Sequence, residues 1–97
     1  MSWYISVLDS EGNEIDRSPE MPDVETQKDA IHTMEYQLGM ESVVQALFLQ
    51  AGLPNAWTEK QIEDQAAAAT RVHEELLTEI TVTNGRGTET YKLVQEN

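Results

Sequence analysis

The chain has 97 residues, a formal net charge of −12 and no cysteine. These facts exclude a disulfide framework, a thiolate metal site and a cysteine nucleophile, and an acidic surface makes nucleic acid and anionic membranes poor direct partners. The length fits one domain, residues 1–97, with a modest core. There is no signal peptide and no apolar stretch long enough to span a membrane, so we expect a cytoplasmic, intracellular protein.

The chain begins with a predicted β-hairpin. Residues 2–8 alternate and are rich in β-branched and aromatic side chains, residues 9–13 are turn formers, and residues 14–17 are a short second strand. Both faces of the first strand carry apolar residues, which predicts cover on both sides. The turn partly matches the spacing of a calcium loop, but Glu14 stands where that loop needs glycine, so a hairpin is favoured.

A long apolar pattern follows Pro19 and Pro22, with Asp23 or Thr26 as the helix cap. Its first part places four apolar residues on one face: Ala30, Ile31, Met34 and Leu38. After Gly39 a second apolar set lies on a rotated face: Met40, Val43, Val44, Leu47, Phe48 and Ala51. Either one helix is covered on different sides along its length, or the helix breaks near Gly39, and we favour a break or kink. Gly52 predicts the end of this region.

The best-marked element is a helix from Thr58 to about Leu77. Thr58 and Gln61 have the spacing of a capping box, in which each side chain accepts a hydrogen bond from the other residue's backbone N–H. The spacing predicts one buried stripe along the helix, with a histidine as its polar exception: Ile62, Ala66, Ala69, His73 and Leu76.

The chain ends with a second predicted hairpin. Residues 80–83 alternate as a strand, Asn84-Gly85 supplies the positive φ angles of a tight turn, and residues 89–94 return. The whole pattern predicts an α+β fold in which N- and C-terminal hairpins form an antiparallel sheet packed against two or three helices, in the order β-β-α-(α)-α-β-β.

Few residues suggest chemistry. His32 and Glu35 are one helical turn apart and could supply two metal ligands, but no third ligand has a diagnostic spacing, so no metal or cofactor is predicted. His73 is interpreted as a histidine at the edge of the core. No catalytic residue is identified, and we expect a protein that is not an enzyme.

The acidic residues carry the functional hypothesis. The helix that begins at Thr58 displays five carboxylates, which we interpret as a candidate partner-binding face: Glu63, Asp64, Glu74, Glu75 and Glu79. Such a face can imitate the phosphates of a nucleic acid and occupy the basic groove of a nucleic-acid-processing enzyme. In size and composition, small cysteine-free acidic chains of this kind resemble phage-encoded counter-defence proteins, which implies an inhibitor that binds a basic protein.

Two alternatives remain open. The alanine run at residues 66–69 and the apolar second face of the first strand would suit a small homo-oligomeric structural or assembly protein, such as a homodimer. A toxin-neutralising immunity protein would have the same acidic composition.

Overall fold

The computed structural model describes residues 2–96. Its elements are β1 (Ser2–Leu8), β2 (Glu14–Arg17), α1 (Gln27–Gln50), α2 (Glu59–Glu75), β3 (Glu79–Asn84) and β4 (Gly87–Glu96). The strands form one antiparallel sheet in the order β2-β1-β4-β3. The α+β class and the predicted element order, with two helices, are therefore confirmed.

The sheet is joined at its centre by β1 and β4, which pair along the whole length of β1. One face packs against the helices and buries Ile5 and Leu93 in the core. On the other face Tyr4 is also buried, and the Arg17 guanidinium carbon lies 4.3 Å from the centre of its ring. The cover predicted for the second face of β1 thus includes a side chain of β2, and every helix of the described chain lies on the opposite side.

Helix α1 is continuous from Gln27 to Gln50, so a break at Gly39 is wrong, whereas the kink that was predicted as its alternative stays a prediction. Thr26 caps it by accepting a hydrogen bond from the backbone N–H of Asp29 at 3.1 Å. A Cβ added at Gly39 would lie 3.8 Å from the Cβ of Ala69, an ordinary contact. Gly39 therefore lies where α2 packs against an uninterrupted helix, and glycine in a packed helix lowers stability without breaking the backbone.

Helix α2 has the predicted capping box, with Thr58 accepting from Gln61 N–H and Gln61 accepting from Thr58 N–H. Its predicted buried stripe is largely wrong. Ala66, His73 and Leu76 are exposed and Ile62 is half-buried, whereas the buried positions are Gln65, Ala68, Ala69 and Val72. At 100° per residue the buried face is rotated by about 70° from the predicted one.

The physical reasons for this rotation are in the sequence itself. The consecutive alanines at 66–69 occupy nearly every side of the helix and so carry no information about its orientation. Gln65 is fully buried because its side-chain amide forms hydrogen bonds with the side chains of Asn84 and Tyr91. Leu76 lies beyond the last helical residue, in the left-handed conformation with φ 52°.

The β3–β4 turn consists of Gly85 and Arg86, since Asn84 pairs directly with Gly87. The positive φ of this turn falls on Gly87, at 104°, and not on Asn84 or Gly85 as predicted. Gly85 has a steric role instead, because a Cβ there would overlap the indole ring of Trp57. The turn is thereby packed against the connection between the two helices.

Candidate functional site

The predicted acidic face does not form one row of free carboxylates. Asp64 bonds with Lys60 at 3.0 Å, and Glu75 with Arg71 at 2.9 Å. Glu79 stands opposite Lys92 in the β3–β4 ladder. Among the ion pairs of residues 2–96 none includes Glu63 or Glu74, and these two carboxylates lie near the centre of the exposed face of α2.

The most unusual surface lies along the middle and the C-terminal part of α1. Four apolar side chains there share one side of the helix and are 41–65 % exposed, and we call them the outer α1 face: Tyr36, Met40, Val43 and Leu47. Phe48 and Leu49 are also exposed, but they lie more than about 100° around the helix axis from the centre of this face. The sequence identified Met40, Val43, Leu47 and Phe48 as an apolar set but could not show that nothing within residues 2–96 covers them. Monomeric proteins rarely expose a contiguous patch of this size without a function for it.

Charge is absent from the C-terminal part of this region. No acidic or basic residue occurs from Ser42 to Thr58, in a chain with 25 % charged residues. The part of the outer α1 face that contains Val43 and Leu47 therefore lies on an uncharged segment of a strongly acidic molecule.

A groove of about 510 Å³ runs beside this face, between α1 and α2. Tyr36, Met40 and Val43 form its wall on α1, and Ala66 and Thr70 form its wall on α2. Alanine and glycine at the helix contact keep the groove wide and apolar. Glu35 and His73 also line the groove.

The two histidines of the chain meet at that polar part of the groove. The Nδ1 atoms of His32 and His73 lie 3.1 Å and 3.0 Å from the same carboxylate oxygen, Oε2 of Glu35. Burial of Glu35 favours its neutral form, but the hydrogen bonds and charges of the two imidazoles outweigh burial and hold its pKa below the usual value. The structure thus adds His73 to the predicted pair of His32 and Glu35, and places His73 at the surface instead of at the core edge.

A sequence signal for this meeting exists. Gly39 and Ala69 face each other across the two helices. Moving one turn back along α1 and one turn forward along the antiparallel α2 leads to Glu35 and His73, which side chains at i and i+4 bring to the same face. The small residues on both helices are the sequence signal for this contact. Using that signal to predict the meeting of Glu35 and His73 requires knowing the register in which the helices pack.

A second polar cluster lies under the β3–β4 turn. Glu89 is 2 % exposed and accepts hydrogen bonds from Arg86 (Nε, 2.9 Å), Asn84 (2.8 Å) and Tyr91 (3.0 Å). Arg86 also donates to Glu41 of α1 at 2.6 Å, and its guanidinium lies 4.9 Å from the Trp57 ring centre. Sequence reasoning missed this network because its members come from the β3–β4 hairpin, from α1 and from the connection between the two helices.

The pKa shifts in this cluster describe an ion pair that remains charged. Burial favours a neutral Glu89, but the hydrogen bonds from Arg86 and Asn84 outweigh the effect of burial and place the pKa of Glu89 below the usual value. Burial favours a neutral Arg86 as well, yet its carboxylate partners raise its pKa. Burial raises the pKa of Tyr91, so its hydroxyl stays protonated. These groups satisfy one another, which is typical of a structural network.

A concavity of about 600 Å³ lies between β2, α1 and β4 and includes Arg86 and Glu89 in its wall. Its only described cations, Arg17 and Arg86, are bonded to Glu14 and to Glu41 and Glu89 respectively. Because their charges are already neutralised, this concavity has weaker potential for ligand binding than the outer surface of the helices.

Comparison of the chain with protein-family models, with curated proteins and with solved structures gave no match. Neither described helix has the length and apolarity that crossing a membrane requires. Function therefore has to be argued from the surfaces themselves.

Proposed function

We propose that the protein is a non-catalytic interaction module that assembles as a homodimer through the outer α1 face. One observation carries this proposal: four apolar side chains form one exposed stripe along α1, and the part of the stripe from Ser42 onward has no charged residue. Leaving such a surface in water is unfavourable in proportion to its area, so a second protein surface is the natural cover.

The spacing of the exposed residues favours a helix as the covering element. Tyr36, Met40, Val43 and Leu47 follow the 4-3-4 spacing of a helix-packing seam. At 3.6 residues per turn this seam lies about 180° from the buried stripe of α1. A second copy offers the same seam, and a two-fold axis between Met40 and Val43 would pair the two helices in antiparallel orientation.

Charge favours a second copy as the occupant. Two chains of −12 repel each other over most orientations, and the uncharged segment that begins at Ser42 lowers this repulsion for contact through the C-terminal part of the seam. Specific interfaces bury about 600–1,000 Å² per partner, so a dimer through this one stripe is expected at the weak end of that range.

A second candidate function rests on the acidic remainder of the surface. Glu63 and Glu74 point outward from α2 without a described ion pair and lie eleven positions apart, about 16 Å along the helix axis. Together with the other carboxylates they favour a basic protein as partner, including a nucleic-acid-processing enzyme whose groove they would occupy as a nucleic-acid mimic. A dimer would double this acidic surface.

The dimer is tested by sedimentation equilibrium from low to high micromolar protein at two salt concentrations. We expect a monomer–dimer equilibrium that tightens at higher salt, because salt screens the repulsion between like-charged copies. Leu47→Glu should abolish dimerisation while preserving the circular dichroism spectrum. Ala67→Glu, which adds the same charge to the exposed side of α2, is the matched control and should leave the dimer unchanged. A wild-type monomer at all concentrations in both salts contradicts the proposal.

The acidic partner is tested by the opposite salt response. Binding to a basic protein should weaken as salt rises. The double variant Glu63→Gln, Glu74→Gln should weaken it further, while Asp64→Gln and Glu75→Gln, whose charges are already paired, should matter less. If the affinity for the basic protein changes neither with salt nor in the double variant, an electrostatic contact through α2 is ruled out.

A further inference from the structure

We propose that His32, Glu35 and His73 form a binding site for a divalent transition metal ion such as Zn²⁺ between α1 and α2. Residues 2–96 contain one group of three histidine or acidic residues whose ligand atoms converge, and it is this one. The group uses both histidines of the chain.

The donor atoms are close to the spacing that a metal requires. Zinc binds histidine nitrogen at about 2.0–2.1 Å and carboxylate oxygen at about 2.0–2.2 Å, so adjacent donors around a tetrahedral ion lie about 3.3 Å apart. The two nitrogen-to-oxygen distances here are 3.1 Å and 3.0 Å. All three ligand atoms lie within 4.8 Å of one another, so modest side-chain rotation brings them around one ion.

The positions of the side chains permit that rotation. The His73 side chain is 59 % exposed and the His32 side chain is 39 % exposed, so an ion has access from solvent and neither ring is fixed by the core. Glu35 stands between them and is the least exposed of the three. Each ring presents the same nitrogen to Glu35 that it would present to the ion, so metal binding replaces two hydrogen bonds by coordinate bonds.

The chemistry of the donors selects the class of ion. Two imidazole nitrogens and one carboxylate oxygen suit Zn²⁺ and neighbouring transition metals, whereas Ca²⁺ and Mg²⁺ prefer sites made only of oxygen. The negative potential of a chain with charge −12 raises the local concentration of any cation. Three protein ligands leave further positions open for water or for a partner's side chain, beside the groove that contains Tyr36 and Met40.

The site has a structural consequence. Two ligands come from α1 and the third from α2, so one ion would cross-link the helices one turn from their contact at Gly39 and Ala69. Because the ion binds the folded chain, a free concentration about a hundredfold above Kd should raise Tm by on the order of 10 °C.

The experiment is a Zn²⁺ titration of metal-free protein at about 150 mM salt, which limits non-specific binding to the acidic surface. Calorimetry should give one site per chain. Long-range proton–nitrogen NMR of the imidazole rings should show both histidines shifting together, and ring nitrogens report coordination directly. His73→Asn, His32→Asn and Glu35→Gln should each lower the affinity at least tenfold.

Glu59→Gln is the matched control, because it removes an exposed carboxylate of the same helix outside the cluster and should leave the affinity unchanged. Ca²⁺ at the same concentration should shift neither ring. The proposal is overturned if only one histidine responds to Zn²⁺, if Ca²⁺ produces the same shifts, or if affinity survives the loss of His73 in a variant whose circular dichroism spectrum is native.

Discussion

The two halves of α1 have similar apolar content and opposite surroundings. In the N-terminal half, Ala30, Ile31, Met34 and Leu38 are buried in the core. In the C-terminal half, Met40, Val43 and Leu47 are among the most exposed apolar residues of the described chain. Periodicity therefore identifies a helix face that needs to be covered, whereas only the tertiary structure shows whether the same chain covers it.

The largest expected effect comes from shortening one apolar side chain in each half of the helix. Leu38→Ala should lower the free energy of unfolding by about 2–5 kcal/mol, since it leaves a cavity in the core. Leu47→Ala, at a side chain that is 58 % exposed, should change the stability of the monomer by less than about 0.5 kcal/mol. Urea denaturation at low protein concentration measures both. Equal losses would mean that the C-terminal half is covered within the monomer.

A second effect concerns the junction between the halves, where Glu41 is bonded to the network of Arg86 and Glu89. Glu89→Gln should destabilise the fold by about 1–3 kcal/mol at neutral pH, because the charged acceptor of several hydrogen bonds is lost. Folding lowers the pKa of Glu89 from its ordinary value of 4.5. Its stabilisation is therefore complete above that pH and is lost as the pH falls further, when the unfolded chain binds the proton more readily.

Denaturation from neutral pH to about pH 3 tests this sign, with the difference between wild type and Glu89→Gln shrinking as the pH falls. Glu75→Gln is a suitable control, since its exposed pair with Arg71 should contribute much less. A difference that stays constant with pH would show that the charge of Glu89 is unimportant to the network.

The smallest effect concerns Gly39, which lies between the two halves. Gly39→Ala should raise the free energy of unfolding by about 0.5–1 kcal/mol, because the new Cβ meets only an ordinary contact with Ala69 and alanine favours the helix. Gly85→Ala is the opposite control and should destabilise the fold by displacing Trp57. Thermal unfolding distinguishes them. A loss of stability for Gly39→Ala would indicate that α1 needs a hinge there.

Sequence reasoning succeeded where the signal was local. The capping box of Thr58, the cap at Thr26, the stop at Gly52 and both hairpins depend on residues a few positions apart, and all are present. Sequence reasoning failed where the orientation of a helix depended on residues that are distant in the sequence. Gln65 is buried because Asn84 and Tyr91 bond with it, which no spacing within the helix reveals.

The residues of the candidate site show the same difference between local and long-range signals. His32 and Glu35 were recognisable as a pair because they are one turn apart on one helix. His73 joins them through the packing of α2 on α1, and the burial of its own helix face was misjudged from the alanine run. Four of the predicted acids lie on α2, but Glu79 begins β3 instead. The ion pairs of Asp64 with Lys60 and of Glu75 with Arg71 depend on side-chain geometry.

The uncharged run from Ser42 to Thr58 also determines which probes can detect the outer α1 face. No lysine or arginine lies between Lys28 and Lys60, so trypsin releases the whole outer α1 face within one peptide. For the same reason, amine-directed cross-linkers have no target on this face. Met40 and Tyr36 are exposed and open to oxidation. Oxidative footprinting of that single peptide would therefore report, residue by residue, when this surface is covered.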